Sequence, residues 1–146
     1  MNKILLLSAA ALMSLGAPAA FAQTGDAAAG EGQWRGCRSC HSITDDAGTM
    51  IQRGGRTGPN LYGLPGSAVA SDEGFRYSPS MLEFAALDGG QVWTEELFVA
   101  YLADPTAFLR HQLDSTSARS TMSFRMASGA EDLWAYLVSV SPEAAE

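Results

Sequence analysis

Cys37-Arg38-Ser39-Cys40-His41 is the stretch of this 146-residue chain whose residue types and spacing most directly imply a reaction. Two thiols lie three positions apart, and an imidazole follows the second. C-x-x-C-H is the attachment motif of a c-type haem. Two thiols a helical turn apart can add to the two vinyl groups of one porphyrin, and the next residue then projects its imidazole at the iron. Other readings of the pair fail on the rest of the sequence. A thioredoxin-like redox pair is expected beside a βαβ pattern, and none is present. A zinc site needs two further ligands, but there is no third cysteine and the only other histidine is His111. The many serines have no histidine partner that would make a nucleophile–base set, which argues against a hydrolase.

An iron held by His41 needs a second axial ligand or keeps an open site. The candidates are Met50, Met81, Met122, Met126 and His111. A methionine is by default a gap-filler in a core. Met122 stands apart because it sits in a polar loop, Arg119-Ser120-Thr121-Met122-Ser123-Phe124-Arg125. Met126 is its rival, nearer the last helical segment. His111 directly follows Arg110 at the end of a helical stretch, which makes it a surface residue.

The elements that must position these groups read as short helices joined by long loops. Residues 24–36 predict a helix with Asp26 at its start and Trp34 as apolar anchor. The segment 42–79 predicts loop, because its glycines and prolines are too frequent for regular structure and no useful strand alternation appears. A loop of that length is unusual in a compact domain, unless it wraps a large rigid group that supplies the missing core. Residues 80–87 predict a short helix. Thr94, with Glu95 and Glu96 behind it, opens a helix over 94–103, and Pro105 ends it and starts another through Phe108 and Leu109. Residues 112–128 read as polar loop. Leu133, Trp134, Leu137 and Val138 form one apolar face of a last helix over 130–140.

The start of the chain reads as an export signal. Lys3 precedes an apolar run from Ile4 to Leu15, and Ala20-Phe21-Ala22 gives a small-x-small cleavage site. The run is too short for a membrane span of about 20 residues. Residues 1–22 are therefore expected to be removed, leaving 23–146 as a single domain of 146 − 22 = 124 residues. The mature protein is expected to be soluble, periplasmic and monomeric, without membrane insertion. Cleavage removes the only lysine, so 8 arginines face 16 acidic residues and the formal charge becomes 8 − 16 = −8. That balance argues against nucleic acid as a partner.

Gly30, Trp34, the C-x-x-C-H, Thr57-Gly58-Pro59-Asn60-Leu61, Gly74-Phe75-Arg76-Tyr77, Trp93-Thr94-Glu95-Glu96, Tyr101-Leu102-Ala103-Asp104-Pro105, Thr121-Met122-Ser123-Phe124 and Leu133-Trp134-Ala135-Tyr136-Leu137 occur in that order. Together they resemble the class I (mitochondrial-type) cytochromes c, and most of all the bacterial cytochrome c2 branch, through the extended loop after Asp104-Pro105. The resemblance implies an all-α fold of four to five short helices and long loops wrapped round one covalent haem c. It implies Met122 as the axial ligand opposite His41, a pairing that raises the reduction potential. It implies that the Pro59 carbonyl accepts the Nδ1–H of His41 and so fixes its ring. Tyr77 and Trp93 are implied as donors to a haem propionate, and Tyr101 as the tyrosine beside the methionine sulfur. The implied function is one-electron transfer, with no enzyme activity of its own. The implied donor is a bc1-type complex and the implied acceptor a terminal oxidase or photosynthetic reaction centre.

Two departures from the family matter. Ser67 stands where many relatives carry an arginine near the propionates. Lysines, which commonly ring the exposed haem edge, are missing from the mature chain. Arg35, Arg38, Arg53, Arg56, Arg119 and Arg125 lie in segments expected near the haem, so a positive docking face on an acidic protein is expected. Two other functions fit the same motif: a dedicated haem subunit of a larger periplasmic oxidoreductase, and a ligand-binding haem sensor in which Met122 is off the iron.

Overall fold

The computed structural model describes residues 24–142. The expected signal segment and its cleavage site lie outside the described residues, as do the last four. Among the described residues, five α-helices and a two-stranded antiparallel ladder make up the fold: α1 (Ala27–Gln33), β1 (Ile43–Thr44), β2 (Met50–Gln52), α2 (Pro79–Ala85), α3 (Glu95–Ala103), α4 (Pro105–Gln112) and α5 (Ala130–Val140). The all-α expectation holds, with that small ladder as an addition.

Local chemistry starts each helix. The Asp26 carboxylate accepts the N–H groups of Ala28 at 2.8 Å and Ala29 at 3.2 Å, which satisfies two of the unpaired donors at the head of α1. Ser78 caps α2 and Thr94 caps α3, while Asp104 caps α4 by accepting from Ala107 at 2.9 Å. Helix α1 is shorter than the predicted 24–36, because Trp34–Gly36 tighten into a 3-10 turn that leads straight into Cys37. Pro79, read as a loop breaker, is instead the first residue of α2, where its missing N–H costs nothing and its fixed φ suits the helix.

Helices α1 and α5 cross at close range and form the base of the fold. A Cβ on Gly30 would overlap the Asp132 carbonyl, so only glycine permits this approach. The crossing is pinned by the Asp26 N–H, which donates to Asp132 Oδ1 at 2.8 Å. Helix α5 buries Leu133, Trp134, Ala135, Tyr136 and Leu137. Phe98 and Tyr101 of α3, Phe108 of α4 and Phe84 of α2 continue the core as edge-on or tilted aromatic pairs with centroids 5.1–5.6 Å apart, the geometry favoured by ring quadrupoles.

The long segment between β2 and α2 has no helix or ladder of its own. Side chains and single backbone bonds order it. Asn60 accepts from the Thr44 N–H at 3.0 Å and returns a bond to the Thr44 carbonyl at 2.7 Å. The Gly66 N–H donates to the Trp93 carbonyl and the Trp93 N–H to the Ser67 carbonyl, at 3.0 and 2.9 Å.

Candidate functional site

The turn that follows α1 delivers the motif. The Arg38 N–H bonds to the Trp34 carbonyl, and the N–H groups of Cys40 and His41 both bond to the Cys37 carbonyl at 3.1 and 3.0 Å. Helical winding through 34–41 therefore sets the two cysteines one turn apart and places His41 directly after them. Both thiols are free. They differ in character. Burial, with the neighbouring Cys40 charge adding to it, pushes the Cys37 thiol up to about 11. Hydrogen bonds from Thr57 and Ser39 hold the Cys40 thiol below its usual range.

His41 has a defined tautomer. Its Nδ1 lies 2.8 Å from the Pro59 carbonyl oxygen. A carbonyl can only accept, so Nδ1 carries the proton and Nε2 keeps its lone pair. Burial lowers the imidazole pKa, and the Pro59 bond opposes this in part. A neutral imidazole with a free Nε2 is the form that ligates a metal. Gly58 leaves room for the ring, since a Cβ there would overlap three of its atoms.

These residues face a cavity of about 710 Å³, inside the range of about 300–1,000 Å³ usual for cofactor sites. Cys37, Cys40, His41, Pro59, Tyr77, Trp93, Tyr101 and Met122 all line it. Leu61, Phe98, Leu102 and Leu133 give it apolar walls. Two free thiols, one neutral imidazole and a thioether round a large apolar cavity fit a covalently held haem. They do not suit a bare ion: no group of three His, Cys, Asp or Glu among the described residues could hold one.

The candidate ligands separate in space. Met122 is half-buried and lines the cavity, whereas Met126 packs against the core without lining it. Met50 is 52% exposed and His111 lies on the surface. Met81, on α2, is buried and also lines the cavity. Met122 is held by Ser120, whose hydroxyl oxygen accepts the Met122 N–H at 3.0 Å and lies 2.8 Å from Tyr101 Oη. The Tyr101 phenol is pushed up by burial, and its bond to Ser120 offsets this in part. Tyr77 Oη accepts the Asp72 N–H at 3.3 Å, so its own proton is free to be donated elsewhere. Ser67 turns its hydroxyl onto the Leu64 carbonyl at 2.8 Å.

Sequence reasoning passed over Ser120 and Thr57, because single hydroxyls in a serine-rich loop carry no spacing signal. It treated Met81 only as one of several equivalent methionines. Of the six arginines expected near the haem, five are exposed and unpaired by any carboxylate among the described residues. Arg125 instead pairs with Asp104, its Nη2 3.0 Å from Oδ2. No helix among the described residues is long and apolar enough to cross a membrane.

No protein-family model matches the chain. Individual proteins do. The chain is 47% identical over 129 residues to cytochrome c-551 of Roseobacter denitrificans, covering 88% of this chain and 90% of that protein. It is 42% identical over 142 residues to cytochrome c-550 of Paracoccus denitrificans, covering 97% and 91%. The crystal structure of the cytochrome c2 isolated from Paracoccus denitrificans superposes with a TM-score of 0.79 at 42% identity, covering 82% of this chain and 99% of that one.

Proposed function

Because the chain belongs to the cytochrome c2 branch of the class I cytochromes c, an electron carrier with one covalent haem c rather than an enzyme, we propose that it holds that haem through Cys37, Cys40, His41 and Met122. The observation that carries this assignment is the meeting of both thiols, the Nε2-free imidazole of His41 and the Met122 segment at one apolar cavity. A haem held there would supply one-electron chemistry, by exchange between Fe(II) and Fe(III). The chain does the rest. Cys37 and Cys40 anchor, Pro59 orients His41, and Ser120 orients the Met122 backbone. Leu61, Phe98 and Leu133 exclude water, which disfavours charge beside the iron. Tyr77 and Trp93 offer an O–H and an N–H to the propionates.

With two protein ligands on the iron no substrate need bind it, which favours a carrier over a ligand-binding sensor. The match to carriers along nearly the whole of their length fits a free-standing protein, not a haem subunit of a larger oxidoreductase. The reading extends to location and partners. Residues 1–22 are removed on export, and the mature protein works in the periplasm as a monomer. It passes electrons from a bc1-type complex to a terminal oxidase or photosynthetic reaction centre. Arg35, Arg38, Arg53, Arg56 and Arg119, all exposed, supply the docking charge in place of lysine. Association with an acidic partner is then slowed by added salt.

The experiment is the visible spectrum of the ferric protein, including the weak far-red band that reports a sulfur–iron bond in this family. Met122→Ala abolishes the band, while Met126→Ala and Met81→Ala keep it. A band that survives Met122→Ala assigns the ligand elsewhere, and absence of the band from the unaltered protein brings the sensor reading forward.

A further inference from the structure

The segment that carries Met122 is fastened to the joint between α3 and α4 at four points. Tyr101 Oη and Ser120 Oγ lie 2.8 Å apart. The Ser120 N–H donates to Thr106 Oγ1 at 3.2 Å. The Met126 N–H donates to the Leu102 carbonyl at 2.8 Å. The fourth fastener is ionic, between Arg125 and Asp104 at 3.0 Å, and it is the one ion pair among the described residues.

The carboxylate of Asp104 is held for this contact. Its Oδ1 accepts the Ala107 N–H at 2.9 Å as the cap of α4, which fixes the group and leaves Oδ2 for the guanidinium. Arg125 follows Met122 by three residues, so the pair closes the C-terminal limb of the segment. Asp104, Ser120, Met122 and Arg125 line a small cavity of about 110 Å³ between the segment and the joint. The pair is solvent-facing, with side chains 64% and 35% exposed. Salt screens such a pair, whereas it leaves the three neutral bonds largely alone.

We propose that the Asp104–Arg125 ion pair is a latch that holds the Met122 segment shut against the α3–α4 joint and makes the grip of Met122 on the iron depend on ionic strength. The inference rests on Met122 being the axial ligand. Arg125 and Asp104 are positioning residues in this scheme, acting through the backbone that carries Met122. Arg125 is thereby withdrawn from the docking set, its charge matched within the molecule.

The test uses imidazole and the ferric holoprotein. Imidazole binds only when Met122 has left the iron, so its affinity includes the opening of the segment. Asp104→Asn keeps the capping oxygen and removes the charge; Arg125→Gln removes the other partner. Each substitution is expected to tighten imidazole binding about two- to five-fold, which at about 1.4 kcal/mol per tenfold corresponds to roughly 0.4–1 kcal/mol, the range of an exposed pair. The double variant gains no more than either single one, and Arg125→Lys restores most of the original affinity. Raising salt to about 1 M moves the unaltered protein towards the variants and moves the variants little. The far-red band persists in every variant without imidazole. Unchanged affinity in the single variants, or additive effects in the double one, overturns the latch. So does a lowered denaturant midpoint with imidazole affinity unmoved, which assigns the pair to fold stability alone. If the unaltered protein lacks the far-red band, the ligand assignment falls and the latch with it; if the band is present and the variants are unmoved, the latch alone falls.

Discussion

Gly58→Ala is the smallest change that strikes the site directly. The added Cβ would overlap Cε1, Nδ1 and Nε2 of His41. Gly58 also donates its N–H to the Cys40 carbonyl at 2.8 Å, so its backbone cannot retreat without breaking that bond. Two escapes exist. His41 can swing away and lose the 2.8 Å bond to Pro59, or the 57–59 backbone can move and lose the bond to Cys40. Either loses one hydrogen bond, at about 0.5–1.5 kcal/mol, and adds overpacking of about 1–3 kcal/mol. The sum is a loss of about 1.5–4.5 kcal/mol in denaturant unfolding of the holoprotein. Gly32→Ala is the matched control. Gly32 lies in α1 with nothing within 4 Å of a built Cβ, so alanine there is expected to stabilise by about 0.5–1 kcal/mol. The haem spectrum should change in Gly58→Ala and stay fixed in Gly32→Ala. A Gly58→Ala protein as stable as the original, with an unaltered spectrum, would refute the argument that glycine is required by the His41 ring.

Alkaline stability tests the buried phenols. Burial raises the Tyr77 and Tyr101 pKa values above 10.0 in the folded state. The unfolded chain releases these protons first, so stability is complete below pH 10 and falls as pH rises through the folded values, by at most about 1.4 kcal/mol per pH unit for each group. Tyr101→Phe should make that decline shallower, and an equally steep decline in unfolding free energy would contradict the assignment. The chain without residues 1–22 has no lysine. At high pH its iron therefore cannot take a lysine in place of Met122, and magnetic resonance of the alkaline form should show no amine-ligated species; detecting one disproves the point.

The parts of the fold legible in the sequence are those fixed by short-range chemistry. Thr94 and Pro105 announce α3 and α4 because a cap and a fixed φ at a helix start are local features, while the Asp104 cap of α4 is seen only in the structure. The i,i+4 apolar pairs Leu133–Leu137 and Trp134–Val138 announce α5 because one face of it is buried. The ladder of Ile43–Thr44 with Met50–Gln52 escaped notice because two or three residues are too few to display a period of two. Pro79 misled because proline both breaks a helix and starts one, and only Ser78 before it distinguishes the cases. At the site, the motif spacing made Cys37, Cys40 and His41 legible. The role of Ser120 depends on Tyr101 and Met122 meeting at its hydroxyl, a contact across 19 residues, and nothing local encodes it.

The long glycine-rich segment is the part most easily mistaken for filler. Helical winding through Cys37–His41 leaves carbonyls without partners where it ends. The Arg38, Cys40 and Ser42 carbonyls are satisfied by the N–H groups of Gly55, Gly58 and Leu61, at 2.8, 2.8 and 3.0 Å. Those donors are three residues apart, and the acceptors two, so the segment runs along the motif as an irregular second wall. The same segment then supplies the Pro59 oxygen to His41 and the Thr57 hydroxyl to Cys40. Its glycines suit close approach to the motif backbone and the imidazole ring rather than looseness. Order here comes from the motif it covers, which explains how a stretch too rich in glycine and proline for regular structure can form one side of a cofactor site.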